Sequence, residues 1–193
     1  MNFIIVVNSL PTYTKRDINM GQTPPLVYQI IEACRGAFFF SHGIRKEVTF
    51  AVVSVLENLL IVYEGEHLRY LGPEERGQAL LLEKVVTFGR ALPLGEWKES
   101  TPGMSVWHGD WATKLADLCR EPVIFFNDCY YVLNQEEILT AQSCILSIGT
   151  EIPESWLPLE PSEGRLLHSF PAPFNAANVG TKLLYLHHER DLA

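Results

Sequence analysis

Residues Phe3-Ile4-Ile5-Val6-Val7 form an unbroken apolar run. A strand with one wet face alternates apolar and polar side chains, whereas a continuous run needs cover on both faces. The run therefore predicts a buried, parallel strand in the middle of an α/β sheet. A polar segment from Pro11 to Thr23 follows, at the place where open α/β sheets collect ligand-contacting loops. Pro24-Pro25 then suits a helix entry, and Leu26, Ile30, Ala33 and Ala37 share a face at helical spacing with Val27 and Cys34 beside them.

The pattern continues along the chain. Val48 to Val55 and Leu59 to Tyr63 read as strands around a Glu57-Asn58 turn. Pro73 opens a helix with Leu80, Leu81, Val85 and Phe88 as its stripe. Thr101-Pro102-Gly103 is a turn before a short strand, Met104 to Trp107. Asp110 can cap a helix that buries Leu115 and Leu118. Pro122 to Phe126, Tyr130 to Leu133, Cys144 to Ile148 and Leu166 to Phe170 read as further strands. From Asn175 the chain turns helical, with Val179, Leu183, Leu184 and Leu186 apolar. This alternation predicts an α/β fold, a mostly parallel sheet with helices on both faces. At 193 residues it makes a single domain over 1–193.

No apolar run is long enough to span a bilayer, and no basic region precedes the first apolar run. Cys34, Cys119, Cys129 and Cys144 are widely spaced without a Cys-x-x-Cys, so they read as reduced thiols of a cytoplasmic protein, with no metal site. The formal charge of -8 argues against a strong non-specific polyanion binder. Neither DNA nor membrane is expected as a partner, while a local arginine patch still allows RNA.

Two polar clusters stand out. Ser41-His42-Gly43-Ile44-Arg45 and Leu68-Arg69-Tyr70-Leu71-Gly72-Pro73-Glu74-Glu75-Arg76 each follow an apolar segment and combine Gly with Arg. Glycine permits a tight turn, and an arginine fork suits phosphate or carboxylate. The plainer reading is a helix end at His42-Gly43 and a helix start at Pro73-Glu74-Glu75.

These two segments resemble the signature segments of the archaeal tRNA pseudouridine-54 N1-methyltransferase family and its bacterial relatives, part of the SPOUT class of knotted methyltransferases. The resemblance resumes at Thr101 to Val106, at Ile145 to Ile152 and from Phe170 to Asp191, which closes on His187-His188-Glu189-Arg190-Asp191. It implies a C-terminal trefoil knot, S-adenosylmethionine as cofactor, a tRNA substrate and a homodimer, with the apolar face of Val179, Leu183 and Leu186 on the closing helix turned to the partner. It places the cofactor on Ile148, Gly149 and Thr150, on Pro171, Ala172, Pro173 and Phe174, and on Val179 and Gly180. Arg45, Arg69 and Arg76 would hold RNA. Asp17, His42 and Glu75 are the candidate bases in or near the clusters.

The chain departs from the family pattern in places. Pro171-Ala172-Pro173-Phe174 stands where the family has Ser-Leu-Gly-Pro, Lys182 where it has Cys, and Leu26 where it has Arg. The alternative expectation is a family member that keeps the fold and acts as a binding or interaction protein. His187-His188 reads as a helix C-terminus, since adjacent helical residues point about 100° apart and make a poor metal pair.

Overall fold

The computed structural model describes residues 1–41, 43–120, 122–126, 135–150, 166–168 and 179–191. Strand β1 (Asn2–Val7) is the hub, paired in parallel with β4 (Thr49–Ser54) on one side and β9 (Ser143–Ile148) on the other. Both its faces are covered, as the apolar run requires. Phe3, Ile5 and Val7 join one core, and Ile4 and Val6 join the other. Beyond β9 lie β8 (Val123–Phe126) and β10 (Leu166–His168), again parallel. Beyond β4 lie β5 (Leu59–Glu64), β7 (Met104–His108) and β6 (Glu96–Thr101), each antiparallel to its neighbour. The order is β10-β8-β9-β1-β4-β5-β7-β6.

The sheet is thus parallel-rich, as expected, and mixed, with an antiparallel part beyond β4. Short turns cause the reversal: the Glu57-Asn58 turn joins β4 to β5, and Pro102-Gly103 joins β6 to β7. Connections this short can only return the chain antiparallel. Strand β6 had no expectation attached to it. Its sequence, Glu-Trp-Lys-Glu-Ser-Thr, is polar and largely exposed, as suits an edge strand. The expected strand Tyr130 to Leu133 lies outside the described residues.

Helix α1 (Lys15–Asn19), α2 (Pro25–Phe38), α3 (Glu75–Arg90), α5 (Gln135–Thr140) and α6 (Val179–Asp191) pack on the Phe3 face. Helix α4 (Trp111–Leu118) packs on the Ile4 face through Trp111 and Leu115. Asp110 caps α4 as expected, accepting from the Ala112 N–H at 3.1 Å. Two details differ from expectation. Helix α2 ends at Phe38, before a small hairpin of β2 (Phe39–Phe40) and β3 (Gly43–Ile44). In α3 the buried residues are Ala79, Leu82, Val85 and Val86, while Leu80, Leu81 and Phe88 are only partly buried. Gln78 lies on the same buried face, and its side-chain amide donates to the Gly72 carbonyl at 2.7 Å.

Helix α6 crosses α2 at two glycines. A Cβ on Gly36 would stand 2.6 Å from the Gly180 carbonyl oxygen, and a Cβ on Gly180 would stand 2.6 Å from that of Glu32. Leu183 and Leu186 are fully buried within this one chain, so they are not a spare apolar face for a partner. The end of α6 is anchored as well. His187 packs against Phe3 with ring centroids 5.1 Å apart and planes tilted by 54°, Arg190 donates to the carbonyls of Ile138 and Ala141, and Asp191 pairs with Arg45 at 2.7 Å. His187 is therefore a core residue and not a helix-terminal one, while His188 is exposed.

Two tests follow from this packing. Gly36→Val forces the helices apart and is expected to reduce stability by roughly 1–3 kcal/mol; an unchanged denaturation midpoint would argue against so close a crossing. Burial, aided by the nearby Arg45 guanidinium, brings the His187 imidazole down to about 4. Between pH 6.5 and 4 the unfolded chain then takes up a proton that the native chain does not, so this site withdraws stability as pH falls through that window. His187→Phe is expected to make stability less dependent on pH there. A His187 resonance titrating near 6.5 would contradict this.

Candidate active site

Strands β1, β4, β8, β9 and β10 run the same way, so their C-terminal ends lie along one edge of the sheet. In open α/β sheets ligands bind outside that edge. At its middle stands Asn8, the first residue after β1. Its side-chain amide donates to the Gly149 carbonyl at 3.3 Å, and its side-chain oxygen accepts from the Thr150 hydroxyl at 2.8 Å. The Asn8 backbone carbonyl accepts from the Leu56 N–H at 2.8 Å. Asn8 thereby links the turn after β9 to the turn after β4.

Gly149 has φ +64 and is exposed, with nothing within 4 Å of where a Cβ would be. It is a left-handed position open to solvent. A ligand can approach its backbone closely, and any side chain there is strained. Ile148, Gly149 and Thr150 are thus brought together at the expected edge, and they fit a cofactor held by backbone groups.

The loop that follows Asn8 is fixed by an ion pair. Glu57 accepts from the Leu10 N–H at 2.8 Å, from the Ser54 hydroxyl, and from Arg90 Nε at 2.7 Å. Arg90 also donates to the Leu10 carbonyl at 2.7 Å and to the Thr12 hydroxyl at 3.4 Å. Burial alone would raise the Glu57 carboxyl. The hydrogen bonds from Ser54, Leu10 and Arg90 outweigh it and hold the group below its ordinary value.

The arginine clusters divide. Arg69 is exposed, with a single 3.5 Å contact to the Glu66 carbonyl, beside Tyr70. Arg76 is exposed and donates to the Asn19 side chain at 3.0 Å. Arg45 is different. Its side chain is 11% exposed and committed to Asp191, to the Phe39 carbonyl and to the face of the Phe40 ring. In that geometry Arg45 holds α6.

The candidate bases fare similarly. Asp17 accepts from the Thr14 hydroxyl and the Thr14 N–H, and these bonds lower its pKa. It closes a capping box on α1. Glu75 accepts from the Thr23 hydroxyl at 2.7 Å and joins the lead-in of α2 to the start of α3. His42, Pro171, Ala172, Pro173 and Phe174 lie outside the described residues. Gly180 is buried in the helix crossing, against the Glu32 backbone of α2, and lines the groove between α2 and α6, and Val179 is the first residue of α6. The Cys34 and Cys119 thiols are free; burial pushes Cys34 up and Cys119 up to about 12. Neither is a nucleophile near neutral pH.

Sequence reasoning missed Asn8, Glu57 and Arg90. Asn8 carried a weak signal, as a polar residue ending a core strand. Its partnership with Gly149 depends on β1 and β9 being neighbours.

This is the architecture of an open, parallel-rich α/β sheet, and known structures share it. The fold matches the crystal structure of Archaeoglobus fulgidus Nep1 bound to S-adenosylhomocysteine, with a TM-score of 0.59 over 99% of this chain and 97% of that one, at 11% identity. No family model matches the chain. The resemblance read from the sequence is borne out by curated relatives. The chain is 28% identical over 174 residues to the tRNA (pseudouridine(54)-N(1))-methyltransferase of Methanosarcina acetivorans, covering 75% of this chain and 81% of that protein. It is 34% identical over 113 residues to the protein of the same name from Methanocaldococcus jannaschii, covering 54% of each.

Arg45→Ala is expected to lower stability by roughly 1 kcal/mol or more, as a half-buried pair is broken, and to leave RNA affinity unchanged. Filter binding beside thermal unfolding checks both; a marked loss of RNA affinity with stability intact would restore Arg45 to the RNA surface.

Proposed function

We propose that this protein is an S-adenosylmethionine-dependent methyltransferase acting on N1 of a pseudouridine in tRNA. The observation that carries the reading is the 28% identity across three-quarters of the chain to proteins of that name. The edge formed by Asn8, Gly149 and Thr150 supports it, because backbone groups at an open left-handed glycine can hold an adenosine without special side chains. The same reading includes knotted threading of the C-terminal segment and a cytoplasmic location.

The cofactor supplies an electrophilic methyl carbon on a sulfonium. The chain's part is alignment of the ring nitrogen with that carbon, which can provide most of the acceleration. Asp17 and Glu57 are both held as low-pKa carboxylates, poorly suited to take up the N–H proton. Arg69 and Arg76 are the exposed cations that remain to engage the RNA backbone.

A homodimer belongs to the same proposal, on different residues from those first expected. A groove of about 310 Å³ between α2 and α6 is lined by Glu32, Arg35, Phe39, Pro73 and Leu184, and Leu184 is 52% exposed. Its apolar side chains and its two opposite charges suit a two-fold-related copy.

The direct test is incubation with S-adenosylmethionine and a tRNA carrying pseudouridine in its T loop, read by nucleoside mass spectrometry. One added methyl on that pseudouridine is expected; an unmodified product at high enzyme concentration would end the enzyme reading. Arg69→Ala and Arg76→Ala are each expected to weaken tRNA binding and to reduce its log–log salt slope by about 1, with cofactor affinity unchanged. An unaltered slope would remove them from the RNA surface.

A further inference from the structure

The sequence marks Asn8 only weakly, as the polar residue that ends β1, yet its side chain ties the Gly149-Thr150 turn to the end of that strand. We propose that Asn8 is a positioning residue for the cofactor, and that Glu57 and Arg90 hold it in place. The inference rests on the methyltransferase reading above.

The geometry runs through three elements. The Asn8 side chain spends both its polar atoms on the turn after β9, donating to the Gly149 carbonyl and accepting from the Thr150 hydroxyl. Its backbone carbonyl is fixed by the Leu56 N–H, and Val7 is fixed by the Val55 N–H at 3.0 Å. Two residues on, both backbone groups of Leu10 are taken: the N–H by Glu57 and the carbonyl by Arg90. Arg90 is the last residue of α3 and Glu57 lies in the β4–β5 turn. The loop after β1 is therefore clamped on either side of Ser9, and the clamped residue reaches across to β9.

The role of that reach follows from Gly149. Gly149 has φ +64, and among the described residues nothing lies within 4 Å of where its Cβ would be, so no side-chain packing there holds its unusual backbone. Glycine gains no steric preference for the left-handed region, so the turn needs an external constraint to keep one shape before a ligand arrives. The Asn8 bonds supply it, and a turn already in its bound shape loses less conformational entropy on binding. Asn8 is itself exposed, so its removal is a small insult to the core.

The test uses the full-length protein and S-adenosylhomocysteine as probe, with binding read by calorimetry. Asn8→Ala is expected to weaken binding about tenfold, by loss of bonds of ordinary strength. Amide hydrogen exchange at Gly149 and Thr150 should accelerate, with thermal stability and tRNA affinity nearly unchanged. In kinetics the KM for S-adenosylmethionine should rise while kcat at saturation is retained. Asn8→Asp keeps the acceptor for Thr150 and loses the donor to Gly149, so it should fall between Ala and wild type. Glu57→Gln should show the same pattern more weakly. Wild-type binding together with unchanged affinity and exchange in Asn8→Ala would overturn this inference and leave the methyltransferase reading standing. Absence of binding by wild type would overturn that reading, and this inference with it.

Discussion

Strand β1 is covered by helices on both faces and by parallel strands along both sides, and the rest of the molecule depends on that enclosure. Five apolar side chains in succession cannot be left facing water without forfeiting roughly 1.5–3 kcal/mol each. The chain meets this demand by placing Phe3, Ile5 and Val7 under α2, α3 and α6, and Ile4 and Val6 under α4. The parallel neighbours β4 and β9 then bring their C-terminal ends level with the end of β1. The site is a consequence of that alignment. Asn8 can reach Gly149 only because Val7 lies opposite Ile148.

The closing helix shows the same economy. Its motif looked like part of a functional signature, and the residues in it turn out to be structural anchors. His187 packs on Phe3, Arg190 binds the end of α5 and Asp191 binds Arg45. The first arginine cluster and the last helix therefore form one device, which fixes α6 against α2 at both the Gly36–Gly180 crossing and the far end. In the second cluster Arg69 and Arg76 remain exposed, with local contacts to the Glu66 carbonyl and the Asn19 side chain.

Elements with strong periodicity or a marked cap were legible in the sequence. The β1 run, the Pro-led start of α2, the Glu57-Asn58 turn, the Asp110 cap and the Cys144 to Ile148 strand all appear where local chemistry puts them. What was not legible depends on which strands are neighbours. The antiparallel half was underestimated because β6 is a polar edge strand without a hydrophobic signal. The buried stripe of α3 includes Gln78, whose amide finds the Gly72 carbonyl, a pairing no apolar pattern reveals. Leu183 and Leu186 looked like surplus apolar surface because the crossing with α2 is set by a pair of glycines, Gly36 and Gly180, far apart in sequence. Among candidate site residues, the end of the Cys144 to Ile148 strand located Gly149 and the resemblance alone gave it a cofactor role, whereas Asn8, Glu57 and Arg90 act through contacts 33 to 142 residues apart in sequence.

The central claim is that the C-terminal edge of the parallel strands, centred on Asn8 and Gly149, is where the cofactor sits. Amide chemical-shift mapping during titration with S-adenosylhomocysteine tests it most directly. The account requires the largest shifts at Asn8, Gly149 and Thr150, with the β6–β7 edge around Lys98 unmoved. Saturable shifts confined to other regions, with Gly149 and Thr150 unaffected, would contradict it.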